Sequence, residues 1–326
     1  MALSPMAEGV RAWDRTALGR AITLVESRDE ADKIKAAGLL AELLPYSGKA
    51  LRLGITGTPG AGKSTFIDAL GTKLTGQGKK VAVLAVDPSS ERSGGSIMGD
   101  KTRMAKLSAD DNAFIRPSPT GGYLGGVTRR TGEAMIVLEA AGADVVIVET
   151  VGAGQSETMV AELVDFFLVL MIAGGGDELQ GIKKGVLELA HMIAINKQDR
   201  DEQAAARAVR DFKNALHIIT PGDAAWTPPV LAISALEGDG LDKLWDKIQE
   251  HTALMAETGL DIKRRQDQSV RWMWRLIEGR LNEALRKNEQ LSDMIGKLET
   301  AVREGGQTPA SGADEILAAF WAKSRS

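Results

Sequence analysis

A chain of 326 residues, 44% hydrophobic and 26% charged, is long enough for one large α/β domain with appended elements, or for two domains. Its formal net charge of −4 argues against a broadly electropositive nucleic-acid surface, and no apolar run approaches the ~18 residues that mark a membrane span. The absence of cysteine excludes disulfides, thiolate catalysis and Cys-ligated metals.

The first segment, "MALSPMAEGVRAWDRTALGR", lacks the apolar core of a secretory signal and carries acids unusual in a transit peptide, which predicts a cytoplasmic protein. Residues 1–50 read as a helical extension. In "ADKIKAAGLLAELLP", Ile34, Leu40, Leu43 and Leu44 fall on helical spacing, and Pro45 stops the pattern.

From Leu51 the pattern changes to short apolar runs separated by helix-length segments: "LRLGIT", "KVAVLAV", "NAFIRP", "DVVIVET", "VDFFLVLMI", "HMIAIN" and "PVLAIS". Runs this apolar imply strands buried on both faces of a mainly parallel sheet with crossover helices, over a domain spanning 51–258. The helix "GLDKLWDKIQEHTALM" closes that domain, and 259–326 reads as a helical C-terminal arm. In that arm Val270, Met273, Trp274, Ile277, Leu281 and Leu285 form one stripe, widened by Trp272 and Leu276, which must be buried against something. Trp226 is the only one of six tryptophans between Leu51 and Ser234, so the flanks are expected to be packing or subunit-contact elements. The most linker-like segment is "REGGQTPASGADE", 303–315, with Pro309 separating the last helix.

The strongest chemical signal is "GITGTPGAGKST", where Gly57, Gly62, Lys63 and Ser64 fit G-x-x-x-x-G-K-[ST] between a strand and a helix. In such a P-loop, backbone N–H groups of Gly57, Gly60, Ala61 and Gly62 curl around phosphate oxygens, and Pro59, which has no N–H, belongs to the same nucleotide-binding turn. The helix N-terminus adds its positive end, Lys63 reaches the β/γ phosphates, Ser64 ligates Mg²⁺ and Thr65 touches the α-phosphate. The base is chosen elsewhere. "AINKQD", with Asn196, Lys197 and Asp199, ends a late strand, and "ISA" follows the next strand with Ser234, Ala235 and then Leu236. A carboxylate at Asp199 accepts from guanine N1–H and the 2-amino group; adenine offers an acceptor at N1 and leaves that carboxylate unpaired, so GTP is expected.

Between these segments lie acids suited to Mg²⁺. "VVIVETVGAG" ends a buried strand with Glu149 and continues to Gly152, whose N–H can reach a γ-phosphate. Asp87 stands at the end of the second apolar run and Asp100 farther along "VDPSSERSGGSIMGDKTRM"; either can join the metal's water shell. No catalytic base stands beside the γ-phosphate position, since Gln155 is three residues past Gly152, so intrinsic hydrolysis is expected to be slow and partner-dependent. The three histidines, His191, His217 and His251, show no metal-ligand spacing.

"GTPGAGKST", "VDPSSERSGGSIMGDKTRM", "ETVGAGQSE", "GGGDELQGIKKG" and "NKQD", in this order, resemble the MeaB/ArgK family of P-loop GTPases, a likeness that covers most of the chain. The resemblance implies a SIMIBI-type P-loop NTPase fold with a mainly parallel central sheet and helical extensions at both ends. It also implies a homodimeric GTPase chaperone of an adenosylcobalamin-dependent acyl-CoA mutase, usually methylmalonyl-CoA mutase, with 259–326 as the dimerisation arm. By position, Lys63 and Ser64 would hold phosphate and Mg²⁺, Asp87, Asp100 and Glu149 would surround the metal, and Asn196, Lys197 and Asp199 would recognise guanine. The rival readings are a kinase or ATPase of the ArgK type and a scaffold that binds GDP without turnover.

The stretch "AGGGDELQGIKKG", 173–185, leaves a buried strand and leads into a helix, which suits a switch better than a linker. Glycines 174–176 would act as the hinge, and Lys183 would bring a charge to the phosphates when a partner docks.

Overall fold

Residues 3–87, 104–119, 124–150, 156–173, 184–221 and 224–323 are described by the computed structural model. Three helices come first: α1 Pro5–Arg11, α2 Arg15–Glu26 and α3 Glu30–Leu43. Each starts where a short polar side chain accepts from an orphan amide of the first turn: Ser4 from Ala7, Asp14 from Ala17, and Asp29 from Ala31 and Asp32. Pro45 lies in a 3-10 turn, Leu44–Tyr46, that ends α3.

The central elements then follow in chain order: β1 Leu51–Gly57, α4 Lys63–Gly76, β2 Val81–Asp87, α5 Ala105–Ser108, β3 Ala113–Pro119, α6 Leu124–Ala140, β4 Val145–Thr150, α7 Ser156–Ala161, β5 Phe166–Ile172, α8 Lys184–Leu189, β6 Met192–Asn196, α9 Glu202–Ile219, β7 Val230–Ala232 and α10 Leu241–Glu257. The sheet order is β3-β2-β4-β1-β5-β6-β7, and every pairing is parallel. The seven apolar runs of the sequence are these seven strands.

The apolar continuity of the strands has its cause in two separate cores. Ala82, Leu84, Val146, Val148, Phe167 and Val169 face one core, shared with α1, α2, α3 and α6. Their strand neighbours Val81, Val83, Ile147, Phe166 and Leu168 face the other, shared with α4 and α10. Both faces are buried, so alternation of polar and apolar residues disappears. Because the pairings are parallel, every strand ends at the same edge, and that edge carries the chemistry.

The remaining helices are α11 Leu260–Arg286, α12 Glu289–Arg303 and α13 Pro309–Lys323. The chain divides into two compact units, residues 1–269 and 270–326. Among the described residues, no helix is long and apolar enough to cross a membrane.

The structure adds detail to two readings and corrects a third. On α3, the helix that the spacing implies, the buried face is Ala36, Leu39 and Leu43, while Ile34 is 76% exposed and Leu44 is also exposed. Val270, Met273, Trp274, Ile277 and Leu281 of the apolar stripe are exposed. The segment 309–315 is helical, because Pro309 opens α13 at a first-turn position that needs no N–H and Thr308 Oγ1 accepts from the Ser311 amide.

Candidate nucleotide site

The loop between β1 and α4 is shaped by two glycines. Gly57 has φ of 154°, and a Cβ there would lie 2.1 Å from the Leu170 carbonyl oxygen of β5. Gly62 has φ of 87°, and a Cβ there would meet Asn196 Nδ2 at 2.7 Å. Side chains are excluded at both positions, by conformation and by space. Gly62 caps α4 without a side-chain hydrogen bond, so the first amides of a 14-residue helix face the cleft, a ready anion site.

Lys63, nearly buried, folds back over its own loop: Nζ donates to the carbonyls of Gly57 at 2.8 Å and Thr58 at 3.2 Å. Burial pushes its ammonium below the ordinary lysine range, opposed by the carboxylates of Glu149 and Glu157. A cation held this way loses little by turning to a phosphate, which repays its desolvation better than neutral carbonyls do. Ser64 donates its hydroxyl to Glu149 Oε1 at 3.4 Å. A hydroxyl and a buried carboxylate thus meet beside the loop, a hard-oxygen pair suited to Mg²⁺.

The opposite end of the cleft is built by the loops after β6 and β7. Asn196 Nδ2 donates to the Ala61 carbonyl at 2.8 Å, and its Oδ1 accepts from the Ala235 amide at 2.9 Å. One buried amide thereby ties the loop after β1 to the loops after β6 and β7. Lys197 adopts a left-handed φ of 65° and donates from Nζ to Gly60 O at 2.7 Å. Asp199 Oδ1 accepts from the Ser234 hydroxyl at 2.5 Å.

A cleft of about 620 Å³ joins the two ends, lined by Pro59, Gly60, Gly62, Lys63, Ser64, Thr65 and Glu149 on one side and by Asn196, Lys197, Asp199, Ala235 and Leu236 on the other. Gly57, where the loop begins, and Ala61 within it are buried, as is Ser234, which donates to Asp199. Asp87 closes β2, whose Ala85 and Val86 line the cleft. Asp100, Gly152, Lys183 and the hinge 174–176 lie outside the described residues. Two residues went unanticipated. Arg200 lines the cleft, signalled only by its place after Asp199; Glu157 is buried within electrostatic reach of Lys63, and its only signal is an acid at the end of "ETVGAGQSE".

A family model described as "Methylmalonyl Co-A mutase-associated GTPase MeaB" matches residues 18–290. A Caulobacter vibrioides protein named as a GTPase is 58% identical over 309 residues, covering 95% of each chain. GTPase ArgK of Escherichia coli is 47% identical over 308 residues, 94% of this chain and 93% of that one. The mitochondrial methylmalonic aciduria type A homolog of Mus musculus is 44% identical over 323 residues, 96% of this chain and 78% of that one. Among solved structures, that of an LAO/AO transport system kinase superposes with a TM-score of 0.78 at 38% identity, covering 98% of this chain and 100% of that one.

Proposed function

The chain belongs to the methylmalonyl Co-A mutase-associated GTPase MeaB family, and we propose from that premise that this GTPase is the nucleotide-driven chaperone of an adenosylcobalamin-dependent methylmalonyl-CoA mutase. In this reading it works in the cytoplasm, gates cofactor loading, and protects or reactivates the mutase. GTP is its substrate and GDP its product. The observation that carries the nucleotide chemistry is the cleft in which Asn196 ties the loop around Lys63 to the Asp199–Ser234 pair.

Each residue then has a role. Lys63 carries the β/γ phosphates, helped by the amides that open α4, and Thr65 meets the α-phosphate. Ser64, Asp87, Asp100 and Glu149 would hold Mg²⁺, which neutralises phosphate charge when bound. Asp199 accepts from guanine N1–H and the 2-amino group, while Lys197 lays its stem along the base and Leu236 closes the other side. Gly152 and Lys183 respond to the γ-phosphate and to the docked partner. The arm 259–326 serves as a homodimer contact, and its exposed stripe around Trp274 supports that role.

A kinase reading has one observation in its favour, the likeness to a solved protein named as a transport system kinase. It predicts ATP preference, yet adenine would leave the Asp199 carboxylate facing a lone pair. A titration with both nucleotides separates the two: GTP binding tighter than ATP supports the GTPase, and the reverse order sinks it. The chaperone role is tested by GTP turnover measured alone and with an adenosylcobalamin-dependent methylmalonyl-CoA mutase. A rise with the mutase is expected, and an unchanged rate would leave a nucleotide-binding scaffold as the better description.

A further inference from the structure

Thr56 and Thr150 meet inside the sheet: the Thr150 hydroxyl donates to the Thr56 Oγ1 at 2.8 Å, with Thr150 0% and Thr56 1% exposed. Thr56 is the residue before Gly57, where the phosphate loop begins, and Thr150 is the residue after Glu149, where β4 ends. Register places Ile55 opposite Glu149, so the two hydroxyls form the next rung at the edge where the sheet opens into the cleft. Among the described residues neither hydroxyl has another partner.

Burying a hydroxyl costs free energy unless it is hydrogen-bonded, and valine fills the same space without that cost. Neighbouring positions on these strands, Val146, Ile147 and Val148, are apolar. A hydroxyl pair at the last rung, where two functional loops depart, therefore does something that packing alone does not. A hydrogen bond is directional, whereas apolar packing tolerates small slides of one strand end past another.

We propose that the Thr56–Thr150 pair is a positioning device that couples the phosphate loop to the segment carrying Glu149. It holds Lys63 and Ser64 in register with that carboxylate. The inference rests on the reading of Lys63 and Glu149 as the phosphate and metal end of the site. Thr56 and Thr150 act through those residues and touch no reacting atom.

The test compares Thr56→Val, Thr150→Val, the double valine variant and the two serine variants, in the full chain. Each single valine is expected to lower kcat for GTP about tenfold with little change in KM, well inside the ~100-fold loss that a 1 Å misplacement can cause. Each serine variant keeps the hydroxyl and keeps kcat. The double valine variant is decisive, because replacing both partners by apolar groups of the same shape restores packing. Its Tm should return toward that of the parent while kcat stays low. If kcat recovers together with Tm, or if the single variants keep full kcat, the pair is structural only and the proposal is overturned. Lys63→Ala measured alongside should lose turnover; turnover surviving there overturns the site reading itself, a result distinct from failure of the coupling.

Discussion

Ser234 and Asp199, on loops that leave β7 and β6, are joined by a hydrogen bond in which the Ser234 hydroxyl donates to one carboxylate oxygen at 2.5 Å. The carboxylate is thereby oriented from behind, and its second oxygen is left to the cleft that Asp199 lines. An amide at this position would present a donor to guanine's own donors. Asp199→Asn is therefore expected to weaken GTP binding by about 2–3 kcal/mol, roughly 30- to 150-fold, while improving xanthosine triphosphate, whose 2-oxo group accepts. Equilibrium titration with both nucleotides decides it, and unchanged GTP affinity would remove Asp199 from base recognition.

At the other end of β1, Arg52 Nε and Nη2 grip the fully buried Glu139 carboxylate at 2.7 and 3.0 Å, and Glu139 Oε2 also accepts from the Gly48 amide at 2.8 Å. The pair ties the connection from the N-terminal helices to the sheet. Removing one member leaves a buried charge alone, so Glu139→Ala should cost about 3–5 kcal/mol in urea denaturation. Replacing both, as Arg52→Met with Glu139→Leu, should cost much less. Nucleotide affinity of folded protein should be unchanged in both, since the pair lies at the end of β1 opposite the phosphate loop.

How far the residues alone predict such features depends on whether the determinant is local. Strand positions followed from apolar runs because both sheet faces are buried, and the phosphate loop followed because glycine, lysine and serine sit at fixed offsets on one turn. Glu139 on α6 with Arg52 on β1, and Thr56 with Thr150 on neighbouring strands, are partners 87 and 94 residues apart, brought together only by the folded arrangement of these elements. Nothing in their own neighbourhoods marks them. Helical spacing in "ADKIKAAGLLAELLP" marks a helix without marking its packed face, which small Ala36 shares with Leu39 and Leu43 while Ile34 is exposed. The stripe of α11 is plain from its helical spacing, but such a pattern says nothing of whether its cover belongs to the same chain.

The apolar stripe of α11 yields the prediction for the proposed homodimer. Val270, Met273, Trp274, Ile277 and Leu281 are all exposed, with Trp274 56% exposed, on one 27-residue helix. An aromatic at the centre of such a patch is where interface energy concentrates, often at about 2 kcal/mol or more per anchor. Trp274→Glu should shift the sedimenting species from dimer to monomer without altering GTP affinity. A parent chain that already sediments as a monomer at micromolar concentration would dismiss the homodimer.

The last prediction concerns pH. Phe166, His191, His251 and Trp226 pack ring against ring with centroids 5.0 to 5.5 Å apart. Burial pushes His251 down from 6.5 to about 4, helped by the Arg264 guanidinium and opposed by Asp165; His191 is lowered in the same direction by burial, then by Arg264 and His251. Both rings are thus neutral in the folded state where the unfolded chain would protonate them. Stability is full above pH 6.5 and falls as pH drops toward 4, because the unfolded state binds more protons throughout that window. The His251 shift alone corresponds to a loss on the order of 3 kcal/mol across it. Urea midpoints from about pH 7.5 to about 4.5 should decline more steeply for the parent than for His251→Leu, which keeps an apolar side chain among the rings and cannot take up a proton. Parallel slopes would mean that His251 protonates as readily folded as unfolded, against the burial seen around it.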